Sequence, residues 1–567
     1  MKISYKYELL STDTLSEKEV VNKLLESRNI TDITTFLNPI NPAAIQIADF
    51  GYEKEIKTTL TLLEEIKQKD QTVVVYTDYD ADGITGGTIL WETLHLLGFK
   101  VMPYVPHRKM EGYGFSIRGI DTVKKEFDPT LIISVDHGIS GREKIQYARN
   151  LGLHVIVTDH HLKPKHIPED ADAIFHIPVL SGSGVAYFFA KLIFEHFQKT
   201  TSKDINEKLT HNFQHDYLAL AAIGTVADLV PLQGPSRSVV KYGLAAFASV
   251  NKIGLKQIMK DAGIDGKPIT PYEIGFVIAP RINAIGRLEH AIDALRLLCT
   301  TSTTKAEELS FKIDDLNKTR QDLVKVAVQE AKEMVELITT EQGVLPNIIV
   351  LTSQSWHEGI IGLIAAKMVE EYHRPAIIMT SGDGIYKGSA RSIPSFHITE
   401  FLQSMQELLL GAGGHKQAAG FSLEVGKLGL FLERVQKGAM ELASSIDLEK
   451  VIEADIKMPI QRATMKLVEE LEKLSPFGIG NPKPLFYTEG VLLDARLFGK
   501  GNEHIRLYVR DPEVKMNPIE ILAFSHADIF PTLKPHMKLG VVYTLDKNIW
   551  MGKERLQAIC NHIVVNA

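Results

Sequence analysis

Cysteine is almost absent from this chain, with only Cys299 and Cys560 among 567 residues. Two distant thiols exclude a disulfide framework and a cysteine-built zinc site, and they fit a reducing compartment. Long apolar runs are missing as well. No stretch reaches the ~18 uncharged apolar residues that a membrane helix needs. The opening "MKISYKYELLSTD" has no apolar core of a secretion signal, so the expected location is the cytoplasm. Positive charge is not in excess, since 63 Lys and Arg against 70 Asp and Glu leave a net −7. That excludes a uniformly basic surface. It does not exclude a local basic groove, because net charge averages over the whole molecule. Internal repeats and low-complexity tracts are lacking too. What remains is ordinary globular composition, 44% hydrophobic and 23% charged, at a length that suggests about three or four domains.

Residues 1–55 read as a helical lead-in, with "SEKEVVNKLLESRN" an amphipathic helix started by Ser16. From residue 72 the pattern changes. "TVVVYT", "KVMPYV", "TLIISVD", "LHVIVTD" and "DAIFHI" are short, apolar, β-branched runs, and helical stretches such as "TGGTILWETLHLLG" lie between some of them. Continuous apolar strands alternating with helices predict an α/β fold with a parallel sheet covered on both faces. This first α/β domain is expected over 56–304. A polar helix without Pro or Gly follows at 305–340 as a connector. A second α/β domain spans 341–446 and contains "NIIVLTSQSW", "PAIIMT" and the glycine-rich "GAGGHKQAAGFSL". From 447 onward "SPFGIGNPKPLF" precedes five closely spaced strand-like runs, which predict a small β-barrel of the oligonucleotide-binding kind.

Three strands of the first domain end in acid or imidazole. Asp78, Asp80 and Asp82 follow the first, Asp136 and His137 another, and Asp159, His160 and His161 a third. The carboxyl ends of parallel strands form the ligand edge of an open sheet, so these residues should converge there. Asp228, a lone carboxylate in the apolar "AAIGTVADLVPL", is a fourth contributor, because an unpaired buried charge is costly. Several carboxylates at one edge stay ionised together only beside a cation. Asp and His without Cys suit Mn²⁺ or Mg²⁺ better than Zn²⁺. Two such ions about 3.5–4 Å apart can assist phosphoryl displacement, and Asp136 is central enough to bridge them. A single Asp after a strand is usually a helix cap or a turn residue, and Asp78 fits that reading as well. The joint pattern is what points to metal.

"DYDADG" (78–83), "SVDHGI" (134–139), "TDHH" (158–161) and "GTVADLVPL" (224–232) resemble the four motifs of the DHH phosphoesterases. "YVPHRKMEGYG", "GVAY", "APRINAIGRL", "WHEGIIGLIAAK", "KGSARSI" and "GGHKQAAGF" are similar, in the same order, to motifs of the RecJ single-stranded-DNA exonucleases. The resemblance runs from about residue 50 to the C-terminus. It implies a two-metal nuclease of DNA repair and recombination that degrades single-stranded DNA from the 5′ end to mononucleotides. Asp80 and Asp136 would hold one ion, with Asp78 a further candidate. Asp82, Asp136, His160 and Asp228 would hold the other, and His161 would stand beside the scissile phosphate. Tyr76 occupies a position where many DHH phosphoesterases carry a histidine, which leaves the ligand set on that side open.

Arg108, Ser389 and Arg391 would recognise the 5′-phosphate end, with "KGSARS" read as a short loop whose backbone N–H groups cradle phosphate. Arg281, Asn283 and Arg287 are further phosphate candidates, since a guanidinium forks onto phosphate oxygens. Gly413, Gly414 and His415 would let backbone approach the substrate. Tyr113 and Phe115 are candidates for stacking bases. By the same resemblance the second domain closes over the cleft and the barrel grips the strand. A helicase and a single-strand-binding protein are the expected partners of a monomeric chain. Two rivals stay open: a DHH phosphoesterase of short oligonucleotides or cyclic dinucleotides, and a non-catalytic replication-fork scaffold.

Overall fold

The fold comes from a computed structural model, which describes residues 2–10, 12–382, 384–445, 448–511, 518–550 and 552–565. The chain forms two compact units. The larger holds Ile3–Ala279, Leu295–Ala306 and Val451–Ala567; the smaller holds Pro280–Ala294 and Glu307–Lys450 with the extreme N-terminus.

The apolar runs of the first domain pair as a five-stranded parallel sheet. Its spatial order is Lys100–Tyr104, Thr72–Thr77, Leu131–Val135, His154–Asp159, Ala173–His176. Every residue of Thr72–Thr77 and of Leu131–Val135 is buried, as strands covered on both faces must be. One face carries the helices Ile117–Phe127 and Arg142–Asn150, whose Ile120, Val123, Ile145 and Ala148 pack with Val74, Tyr76, Ile132 and Val155. The other face carries Ala81–Leu96 and Gly182–Phe197, and Asp216–Ala227 packs on those two; all three are apolar helices buried along most of their length. Strand order reverses between Thr72–Thr77 and Leu131–Val135. Ligands of open α/β sheets bind at the carboxyl ends of such a switch point, and Asp78, Asp80 and Asp136 follow these two strands.

The larger unit also contains a closed barrel. Phe486–Phe498, His504–Arg510, Ile519–Ala523, Lys553–Val565 and Lys538–Trp550 pair in that order, and the last returns to Phe486–Val491. All five predicted runs are therefore strands, in the antiparallel arrangement with one parallel contact of an oligonucleotide-binding fold. The lead-in is not wholly helical, which corrects the expectation for residues 1–55. Lys2–Glu8 is a strand beside Val451–Lys457, and Val20, Val21, Leu24 and Leu25 of helix Glu17–Ser27 join the barrel's core.

In the smaller unit, Ile349–Thr352 and Ala376–Gly382 run parallel, and Ile385–Arg391, Ala418–Glu424 and Leu409–His415 extend the sheet antiparallel. The connecting helix runs over Thr303–Gln342. It is more than a spacer, because its Ala327, Ala331 and Val335 pack against Trp356, Ile360, Ile364 and Ile378. No helix among the described residues is long and apolar enough to cross a membrane.

Candidate metal centre

Asp80 opens the site because it ends one element and starts another. It is the N-cap of helix Ala81–Leu96, and its Oδ1 accepts from the N–H groups of Asp82 (3.0 Å) and Gly83 (3.1 Å). The capping role considered for Asp78 therefore belongs to Asp80. Asp78 is fully buried instead, and its Oδ1 has no hydrogen-bond partner.

Asp136 leaves its strand in the left-handed region, at φ +68°. Such backbone is strained for a residue with a side chain and concentrates at functional sites. The turn places its carboxylate next to His160, with Nε2 3.1 Å from Oδ1. His160 Nε2 also lies 3.4 Å from Asp228 Oδ2 and 3.7 Å from Asp82 Oδ2. Asp82 is fixed by the start of helix Gly182–Phe197, whose Gly182 and Ser183 N–H groups donate to its oxygens at 2.6 and 2.9 Å. Asp228 sits just past the last turn of helix Asp216–Ala227.

The ligand atoms fall into overlapping groups. Asp78, Asp80 and Asp136 form one; Asp82, His160 and Asp228 form a second; Asp136, His160 and His161 form a third, each within the span of a single cation. Asp136 and His160 each belong to two of them. Three buried ligand atoms (Asp78 Oδ1, Asp136 Oδ1 and His160 Nε2) have no hydrogen-bond partner. Burial and mutual repulsion raise the carboxyl groups together. Asp78 and Asp136 rise well above the usual carboxylate range, Asp80 rises, and Asp228 is pushed up to about 8. Burial holds His160 neutral by lowering its pKa, as a metal-ligating imidazole requires. Oxygen-rich donors with one neutral imidazole and orphaned ligand atoms fit hard divalent cations such as Mn²⁺ or Mg²⁺.

Several neighbours were not legible as functional. Asp159 looks like a ligand beside "HH", but all its bonds are structural. Its Oδ2 accepts from Ile139 N–H (2.8 Å), while its Oδ1 accepts from the His160 and His161 N–H groups and pairs with His161 Nδ1 (2.8 Å). Burial alone would raise the Asp159 carboxyl, yet His161 and these backbone donors hold it well below the usual range. In return Asp159 overcomes the burial of His161 and lifts that imidazole to about 9. His137 turns inward, with Nε2 3.0 Å from the Tyr76 carbonyl and its ring against Phe115, and burial drops it to about 4. Two glycines leave room for carboxylates. A Cβ on Gly182 would strike the Asp136 carboxylate, and one on Gly224 would strike Ser183 and Asp82.

Tyr76 faces the core among Tyr104, Phe115 and His137. Phe115 is buried in the same cluster and has no free face for a base, which corrects the stacking expectation for it. Tyr113 keeps an exposed ring, while its hydroxyl donates to the Asp136 carbonyl (2.9 Å) and lies 3.1 Å from the His161 ring nitrogens. The Arg108 guanidinium lies 5.0 Å from the Tyr79 ring centroid.

The remaining candidates belong to the smaller unit. "KGSARS" is not a loop. Lys387–Arg391 lies in a strand paired on both sides, so its backbone N–H groups are shared with the sheet. Ser389 and Arg391 still project together, with Nη1 3.2 Å from Oγ, against Gly362 at the start of helix Ile361–Tyr372. Arg281 pairs with Asp314 (3.1 Å), and Arg287 donates to the Gly359 carbonyl (3.1 Å). Asn283 shares their helix, Ala279–Leu288. Gly413, Gly414 and His415 end an exposed edge strand. Gly414 has φ +152°, where a side chain would meet Ala418, whereas nothing lies within 4 Å of a Cβ on Gly413.

Comparison with known proteins follows the same divisions. A model of the DHH family N-terminal domain matches residues 72–225, the DHHA1 domain matches 345–441, and the RecJ OB domain matches 454–562. The single-stranded-DNA-specific exonuclease RecJ of Bacillus subtilis (strain 168) is 33% identical over 534 residues; the match takes in 92% of this chain, which spans 65% of that protein's length. RecJ of Escherichia coli (strain K12) is 31% identical over 527 residues, 90% of each chain. The crystal structure of RecJ in complex with Mn²⁺ from Thermus thermophilus aligns over all of this chain and 80% of its own, with a TM-score of 0.80 at 27% identity.

Proposed function

The chain belongs to the RecJ family of single-stranded-DNA-specific exonucleases, and on that premise we propose that it hydrolyses single-stranded DNA from the 5′ end to mononucleotides. What supports this reading most is the set of buried ligand-type atoms on Asp78, Asp136 and His160 that make no hydrogen bond, within overlapping acidic groups at the switch point of the sheet. In the proposed centre Asp80 and Asp136, with Asp78, would hold one ion, and Asp82, Asp136, His160 and Asp228 would hold the other. Divalent cations bound there would supply Lewis acidity toward a phosphodiester and its attacking water.

The chain's own side chains do the rest. Asp159 keeps His161 cationic at neutral pH, which suits that ring to a phosphate oxygen beside Asp136. Tyr113 fixes the edge of the His161 ring through its hydroxyl and offers its exposed face to a base. Ser389 and Arg391 together offer a hydroxyl and a guanidinium to a terminal phosphate, with Arg108, Arg281, Asn283, Arg287 and the Gly413–His415 strand as further strand contacts. On the barrel, His504, Arg506, Tyr508 and Arg510 alternate with buried Ile505, Leu507 and Val509. Arg506 lies 5.4 Å from the Phe498 ring and Arg496 5.6 Å from Tyr508. Interleaved arginines and aromatics suit a single strand read without regard to sequence. In the same proposal the chain acts as a cytoplasmic monomer, with a helicase and a single-strand-binding protein supplying and clearing its substrate.

The test is digestion of one strand labelled at either end, with Mn²⁺ present. The proposal expects mononucleotides from the 5′-label first and no product with Asp136→Ala. Earlier release of the 3′-label, or equal activity in the variant, would contradict it.

A further inference from the structure

The backbone that follows Asp228 is braced from another domain. Leu229 takes φ +60° and is exposed, as are Pro231 and Gln233. Leu232 N–H donates to the Ile479 carbonyl at 2.7 Å, and Gln233 Nε2 donates to the Gly480 carbonyl at 3.2 Å. The fit is close: a Cβ on Gly480 would lie 3.0 Å from Pro231 Cβ, and one on Gly478 would lie 2.7 Å from Leu232 Cδ1. Gly478–Asn481 is a tight turn closed by reciprocal backbone bonds of 2.9 and 3.1 Å. It belongs to "SPFGIGN", the segment leading into the first barrel strand.

That turn is held by a buried arginine. Arg237 has no exposed surface. Its Nη2 donates to the carbonyls of Leu474 (2.9 Å) and Ser475 (2.8 Å), its Nη1 to Pro476 (3.2 Å) and its Nε to Phe36 (2.7 Å). Its guanidinium lies 3.9 Å from the Phe36 ring centroid. Burial lowers its pKa only to about 10, so it stays charged. Asn481 Nδ2 donates to two of the same carbonyls, at 2.8 and 2.9 Å, and Arg28 donates to Asn481 Oδ1 at 2.6 Å. Burying a guanidinium is costly. What its planar fork provides is geometry, since one rigid group sets carbonyls of two distant segments at once.

We propose that the turn 475–481 is a positioning element of the metal centre. By bracing residues 231–233 it sets how Asp228 enters the group with Asp82 and His160, and Arg237 is the positioning residue that fixes the turn. This rests on the two-ion reading above. It gives the barrel module a role in the centre that is separate from holding DNA.

The test uses the full chain with Gly480→Ala, whose methyl meets Pro231, and Gln233→Ala, an exposed change that carries the test should the first variant fail to fold. Bound Mn²⁺ is counted by electron paramagnetic resonance of the free ion. Strand binding is measured in EDTA by fluorescence anisotropy, and folding by circular dichroism. Wild type should bind two ions. Each variant should keep one ion at wild-type affinity and bind the second about ten-fold more weakly, the scale of losing an outer support, with strand binding and folding unchanged. Pro231→Gly added to Gly480→Ala should recover part of that loss. Two ions at wild-type affinity in both folded variants would overturn the proposal. So would lost strand binding with ion binding intact, which would make the turn part of the grip. A wild type that binds no ion would instead overturn the two-ion reading itself.

Discussion

Asp159 and Gly182 show how much of the candidate centre lies beyond its proposed ligands. Asp159 reads in sequence as one more strand-end acid, yet its carboxylate orients His161, accepts from the His160 N–H and closes the turn at Ile139. Adjacency could not separate it from Asp136, because both stand at the ends of apolar strands; Asp136 differs in its left-handed backbone and the direction of its carboxylate. Asp159→Asn should lower activity by about 10–100-fold, the scale for partners that orient site imidazoles. It should also move the pH profile. Asp159 raises His161 to about 9; without that charge the imidazole loses its proton at lower pH, so the alkaline fall in rate should begin earlier. An unchanged alkaline limb in steady-state rates would contradict this. Gly182 is invisible as a site residue until the closeness of Asp136 is seen. Gly182→Ala should abolish tight Mn²⁺ binding while leaving helical content intact, which titration calorimetry and circular dichroism would read.

Among elements, the sheet edge is where electrostatics governs stability. The carboxyl groups of Asp78, Asp80, Asp136 and Asp228 have folded pKa values above those of an unfolded chain. From the ordinary value of about 4 up to about 8 for Asp228, the unfolded chain releases protons that the folded, metal-free chain keeps. The stability of the metal-free protein therefore falls as pH rises through that window. Cations that compensate the carboxylates remove the penalty and bind better as protons leave. Melting temperatures in EDTA should drop between pH 6 and 8.5, and the gain from Mn²⁺ should widen; a gain that shrinks with pH would refute the assignment. The apolar parallel strands were clear in sequence because both faces are buried. The glycine and serine of "KGSARS" mimic a turn, whereas Gly388 is small because the ring of Phe421, its partner on the neighbouring strand, lies over it. Arg391→Ala should weaken the preference for 5′-phosphorylated over 5′-hydroxyl strands, compared as the ratio of kcat/KM; an unchanged ratio would remove Arg391 from end recognition.

At the scale of the whole molecule, the order of domains was legible because each has its own periodicity: apolar strands between helices, one long polar helix, then short alternating strands. The long-range joins were not. Lys2–Glu8 pairs beside Val451–Lys457, and Arg237 reaches both Phe36 and Ser475. Neither join leaves a local pattern, because each partner satisfies backbone groups hundreds of residues away. The proposed two-ion centre is shared through Asp136. The most direct test is anomalous diffraction from crystals soaked in Mn²⁺. Two peaks about 3.5–4 Å apart, one near Asp78 and Asp80 and one near His160 and Asp228, with Asp136 between them, are the predicted result. A single peak, or peaks away from Asp136, would contradict it.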